Sequence, residues 1–131
     1  MEREKKFLIL ASVGLLPIAL SYGAAPAASL SFLYDIDASS VNVAHIFRAV
    51  MGLYLALIIF WLIGAKNKNL ELPALWSLVV FMLGLAAGRL LSLSVDGMAH
   101  PLLVVFLLLE MGFGAVGLML IKQSKPQEQL I

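Results

Sequence analysis

Long apolar runs separated by short polar interruptions organise this chain. Four stand out: Phe7–Ala25, Ala44–Ala65, Pro73–Ser94 and Pro101–Ile121, each 19 to 22 residues long. At a rise of about 1.5 Å per residue, about 20 residues cover the roughly 30 Å hydrocarbon core of a bilayer. Backbone groups in lipid have to be satisfied within the segment, so the runs predict helices rather than strands. The pattern therefore predicts an all-α protein: an integral membrane, antiparallel four-helix bundle forming a single transmembrane domain over residues 1–131.

Local signals mark the boundaries. Ser39-Ser40-Val41-Asn42 offers N-caps for the second run. Pro73 and Pro101 suit the first turn of the third and fourth, where a missing N–H costs nothing. Lys66-Asn67-Lys68-Asn69 reads as a polar turn, Asp96-Gly97 as a tight turn, and the segment from Lys122 as a frayed polar tail. Leu30-Ser31-Phe32-Leu33-Tyr34 reads as a loop lying at the outer interface, with Tyr34 as an aromatic anchor. Pro17 predicts a kink in the first helix, tolerable inside a bundle.

Composition changes the picture only by removing alternatives. Hydrophobic residues make up 62% and charged residues 13% of the 131 positions. A soluble fold this small leaves too much surface exposed to hide that much apolar area. The formal net charge is +1 and no basic run with interleaved aromatics is present, which argues against nucleic-acid partners. With no cysteine, disulfides, thiol redox chemistry, Cys-ligated zinc and iron–sulfur clusters are excluded.

Charge placement sets an orientation. Arg3, Lys5 and Lys6 precede the first run, Lys66 and Lys68 fall between the second and third, and Lys122 and Lys125 follow the fourth. The 26–43 and 95–100 connections hold no Lys or Arg and carry Asp35, Asp37 and Asp96 instead. The positive-inside rule then predicts both termini in the cytoplasm. Met1–Lys6, an apolar run and Ala25-Pro26-Ala27 together resemble a cleavable secretory signal. The run exceeds the roughly 7–15 residues of a signal core, so a retained first helix is expected.

Membrane helices associate through small residues and polar contacts. Helical spacing predicts inward stripes of His45, Arg48, Gly52 and Ala56 on the second helix, and of Gly14, Pro17 and Ser21 on the first. On the third, Leu85, Arg89, Ser92 and Asp96 align beside a Gly84/Gly88 packing pair. On the fourth, Glu110, Gly114 and Gly117 share a face.

Arg48, Arg89 and Glu110 are charges within apolar spans. An unpaired charge at mid-bilayer costs about 2.5–3.5 kcal/mol or more. Helix rise places Arg48 about 6 Å, Arg89 about 8–9 Å and Glu110 about 13 Å from the outer ends of their helices. With His45 and Asp96 they occupy the outer half, while the inner half is almost free of charge. Glu110 is expected to accept from Arg89, Arg48 or both, with Asp96 capping the group. The competing reading of these charges is a structural ion-pair network that fixes helix register. Neither His45 nor His100 belongs to a metal-spacing motif, and Tyr54, Trp61 and Trp76 read as lipid or packing aromatics. No Ser-His-Asp order, P-loop or dinucleotide-binding glycine motif is present, so catalysis is the weakest option.

Two runs carry a family resemblance. His45-Ile46-Phe47-Arg48-Ala49-Val50-Met51-Gly52-Leu53-Tyr54 and Gly84-Leu85-Ala86-Ala87-Gly88-Arg89-Leu90-Leu91-Ser92-Leu93-Ser94-Val95-Asp96-Gly97, followed by Glu110, resemble an uncharacterised bacterial family of small four-helix membrane proteins, known only as a domain of unknown function. The resemblance spans roughly residues 7–121 and implies a bacterial cytoplasmic (inner) membrane location, with recurrent polar positions at Arg48, Arg89, Ser92, Asp96 and Glu110. A similarity to DoxX-like four-helix proteins is architectural only. Neither names an activity or a cofactor.

Two readings of function stay open. In the first, slightly favoured, His45, Arg48, Arg89, Ser92, Asp96 and Glu110 form an outward-facing site for a small anionic or amphiphilic, or quinone-like, ligand. In the second, the chain is a structural or accessory subunit of a larger membrane complex, or of a homo-oligomer, and the charges only fix helix packing. A transport path is disfavoured by the small bundle and its charge-poor inner half.

Overall fold

The structure, a computed structural model, describes residues 2–128, with side chains through Gln123. Five helices follow one another: α1 (Glu2–Gly23), α2 (Pro26–Tyr34), α3 (Val41–Lys66), α4 (Lys68–Val95) and α5 (Pro101–Glu128). Four of them, α1, α3, α4 and the Pro101–Gln123 part of α5, are long and apolar enough to cross a membrane. Lys125, one of the cations that set the expected orientation, lies outside the described side chains.

The helix ends follow local chemistry. Ser40 caps α3, its Oγ accepting from the Val43 amide at 3.1 Å. A single residue, Asn67, links α3 to α4, and its side chain accepts from the Asn69 amide at 3.0 Å. Pro73 is not in a first turn as expected. Asn67 caps earlier, so α4 starts at Lys68 and takes Pro73 into its interior. Gly97, at φ +102°, supplies the left-handed residue after α4. Nδ1 of His100 accepts from the Leu102 amide at 3.1 Å at the start of α5. The backbone of α5 continues past Lys122 to Glu128, where a frayed tail was expected.

The segment expected as an interfacial loop is the nine-residue helix α2. Its Pro26, Leu30 and Tyr34 are buried, so Tyr34 is a core residue rather than an interface anchor. The Tyr34 ring packs on Tyr22 of α1 at 5.6 Å and on Phe106 of α5 at 5.9 Å. Ser21 Oγ donates to the Ile18 carbonyl at 2.7 Å, so the Tyr34 hydroxyl donates to Ser21, at 2.5 Å. Burial pushes the Tyr34 phenol above its ordinary pKa.

Around the core, α1 lies mainly along α3, α3 along α4, and α4 along α5, while α1 and α5 touch sparsely. The late part of α1 meets the early part of α3, where Tyr22 packs on Phe47. The early part of α1 meets the middle of α5, where Phe7 packs on Phe113. The α3–α4 seam is aromatic: Phe81 stacks edge-on against Tyr54 at 5.0 Å and Trp61 at 5.6 Å, and Trp61 Nε1 donates to Ser77 at 3.0 Å. Tyr54 and Trp61 are thus core residues.

Two expected stripes face the other way. His45, Arg48, Gly52 and Ala56 are exposed on α3, whose inner face is Tyr54, Ile58 and Trp61. Gly14 and Pro17 are exposed on α1, which buries Leu8, Ala11, Leu15 and Ala19 instead. The α5 stripe is inward: Glu110, Gly114 and Gly117 are all buried.

Candidate functional site

Late α4 and early α5 present Arg89 and Glu110 to each other. Arg89 Nε donates to Glu110 Oε1 at 2.8 Å, an ion pair with side-chain exposures of 20% and 9%. At that burial, breaking the pair exposes neither group fully to water, so the charges hold each other in place. The guanidinium carbon lies 5.8 Å from the centre of the Phe106 ring, one turn before Glu110 on α5. Arg89 Nη2 approaches the Tyr22 hydroxyl at 3.4 Å. Tyr22, itself buried, is fixed by rings of α2 and α3: Tyr34 at 5.6 Å, Phe47 at 5.7 Å and Tyr54 at 5.6 Å. Side chains of α1 and α5 thus meet the guanidinium of α4, and α2 and α3 fix Tyr22 beside it.

Arg89 also borders a pocket of about 450 Å³ between α3, α4 and α5. Its lining is mostly apolar: Phe47 and Val50 of α3, Leu85 of α4, and Leu103, Val104 and Leu107 of α5. Gly84 and Gly88 also line it. A Cβ at either would meet nothing within 4 Å, so this glycine pair opens a groove instead of packing a neighbouring helix, as the sequence had suggested. Ser92 lines the rim. A second, tighter space of about 70 Å³ lies between α1 and α5, bordered by Gly14, Tyr54 and Glu110. The ion pair thus stands between two cavities.

The remaining expected site residues lie apart. Arg48 does not reach Glu110. Its Nη1 donates to the Gly23 carbonyl at 2.8 Å, satisfying a carbonyl at the C-terminal end of α1 that has no partner within the helix. Close approach requires glycine there, since a Cβ on Gly23 would meet Met51 Cβ at 2.5 Å. Arg48 and His45 border a separate cleft, away from Arg89. Asp96 does not cap the ion pair. It is exposed and accepts from Ser92 Oγ at 2.9 Å, because α4 runs to Val95 and carries Asp96 beyond the group. The expected six-residue cluster is therefore split: Arg89, Ser92 and Glu110 surround one region, Arg48 and His45 another.

Tyr22 and Phe106 hold the guanidinium yet were not singled out from sequence. The spacing of Phe106 to Glu110 was an available signal, since residues four apart share a helix face. For Tyr22 there was none, as its role depends on how α1 sits against α4.

The arrangement offers hydrogen-bond donors at one end of an apolar slot. No curated protein and no solved structure matches this chain. Residues 4–121 match the model of a family described as Domain of unknown function (DUF4345), and the chain belongs to that family.

Proposed function

We propose that this is a multi-pass protein of the bacterial inner membrane whose pocket at Arg89 binds one small amphiphile. In this reading α1, α3, α4 and α5 cross the bilayer as an antiparallel bundle, both termini are cytoplasmic, and α2 lies at the outer surface. Ligand pockets commonly enclose about 300–1,000 Å³, and a slot of about 450 Å³ suits one drug-sized molecule or a single chain.

The observation that carries the reading is the pairing of a committed guanidinium with an open groove. Arg89 is fixed by Glu110, Phe106 and Tyr22, yet it borders a pocket that two glycines also line. The Arg89–Glu110 pair is neutral as a unit. A full anion entering the slot would lose hydration with no net charge to offset it. The pair therefore favours an uncharged acceptor such as a carbonyl or quinone oxygen, with the apolar body lying over Gly84 and Gly88.

The test is retention of small molecules by the purified protein, read by mass spectrometry of organic extracts. Wild type should carry one amphiphile class that is depleted about tenfold in Arg89→Ala. Gly88→Leu, which fills the groove without touching the ion pair, should lose it too. Equal retention in both variants, each well folded, contradicts the site.

A second reading, an accessory subunit of a larger complex, draws on the outward His45–Gly52–Ala56 stripe of α3, where small residues permit close helix approach. Stoichiometric co-purification of a partner protein, lost in Gly52→Leu, would favour it.

A further inference from the structure

The two arginines differ in how their charge is balanced. Glu110 neutralises Arg89. Among the described residues no carboxylate lies within ion-pair distance of Arg48, and its only charge-assisted bond is to the Gly23 carbonyl. Asp37, the acid nearest in sequence to the α3 start, is turned into its own loop, accepting from Ser39 N at 3.1 Å and Ser39 Oγ at 2.8 Å. Those two donors hold its carboxyl below the usual range.

Arg48 is exposed on an apolar helix, seven residues after the start of α3 and so about 10 Å along it. It borders a cleft of about 530 Å³ between the α1–α2 junction and the beginning of α3. His45, one turn nearer the α3 start, shares the cleft, as do Ser39 and Ser40. The bond to Gly23 fixes the direction of the guanidinium, which a freely moving surface arginine lacks. An unbalanced cation at this depth is costly unless an anion meets it, and a guanidinium fork matches the oxygens of a phosphoryl group.

We propose that this cleft binds a phosphoryl group, supplied by the headgroup of a membrane phospholipid, and that Arg48 is its principal contact with His45 and Ser39 beside it. The proposal rests on α2 lying at the outer surface, but not on the Arg89 pocket. It divides the labour between the arginines: Arg89, already neutralised, serves an uncharged head, and Arg48, unbalanced, serves an anionic one.

The experiment is native mass spectrometry of the full chain in a nonionic detergent, titrated with phosphatidylglycerol or with diacylglycerol, which lacks the phosphoryl group. Phosphatidylglycerol should bind about tenfold tighter, and Arg48→Gln should remove most of that difference while Arg48→Lys keeps part. Because Arg48→Gln also frees the Gly23 carbonyl, Ser40→Asp is the second variant. Asp is as good an N-cap as Ser, so α3 stays capped, but its carboxylate opposes the anion. It should weaken phosphatidylglycerol binding by a similar factor. Inorganic phosphate that displaces the lipid at comparable concentration would assign the site to free phosphate, and no displacement assigns it to the lipid. Equal binding of the two lipids, or unchanged phosphatidylglycerol binding in both Arg48→Gln and Ser40→Asp, overturns the proposal. Accessibility of the cleft from outside is read separately by labelling at Ser39, so a wrong orientation is told apart from a wrong ligand.

Discussion

Arg89 and Glu110 form an ion pair, and mutation can separate its structural part from the recognition role proposed for it. Removing one partner leaves a largely buried charge unpaired, which destabilises by about 3 kcal/mol. Replacing both with apolar side chains of similar volume is close to neutral, because two desolvation costs disappear with one attraction. Glu110→Ala should therefore lower thermal stability in detergent clearly, while Arg89→Met/Glu110→Leu should recover most of the loss. A purely structural pair predicts that the double variant behaves as wild type throughout. A recognition site predicts that it folds but no longer retains the amphiphile. The pair itself was legible in sequence, because an acid near the midplane and an arginine at similar depth need each other. Of the two arginines offered as partners for Glu110, Arg48 instead donates to the Gly23 carbonyl, since a helix-end carbonyl is an acceptor that charge counting does not reveal.

At the scale of elements, the glycines sort into two kinds. On the buried face of α5 two of them allow contact: a Cβ on Gly117 would meet Val79 Cγ2 at 2.6 Å, and one on Gly114 would run into the Leu83 side chain. Gly14 and Gly52 have open space instead. Gly114→Ala and Gly117→Ala should each cost about 1–3 kcal/mol through overpacking of the α4–α5 seam. Gly14→Ala and Gly52→Ala should be neutral or stabilise by up to about 1 kcal/mol through helix propensity. Chemical or thermal unfolding of the four variants checks this, and a reversed order would contradict the packing. Sequence predicted the α5 face correctly but not those of α1 and α3. Small residues permit close packing without requiring it, and the inner face of α3 is built from Tyr54, Ile58 and Trp61 instead. Helix α2 was missed because Leu30 to Tyr34 looks the same whether it floats at an interface or folds back onto Tyr22. Only the tertiary partner decides.

For the whole molecule, apolar length alone made the four long helices legible, whereas their order around the core was not in the pattern. The chain has no cysteine, so single-cysteine labelling reads topology without background. Ser39→Cys should react with a membrane-impermeant maleimide in intact cells, and Asn67→Cys only after lysis. The opposite pattern would invert the orientation and place the Arg89 pocket toward the cytoplasm. The central claim, that this pocket is a binding site, is tested most directly by an experimental density map of the protein in a lipid nanodisc. Non-protein density is expected in the groove over Gly84 and Gly88, with its polar end at Arg89 and the Arg89–Glu110 pair intact behind it. A groove closed by its own side chains, or acyl density that passes without contacting Arg89, would contradict it.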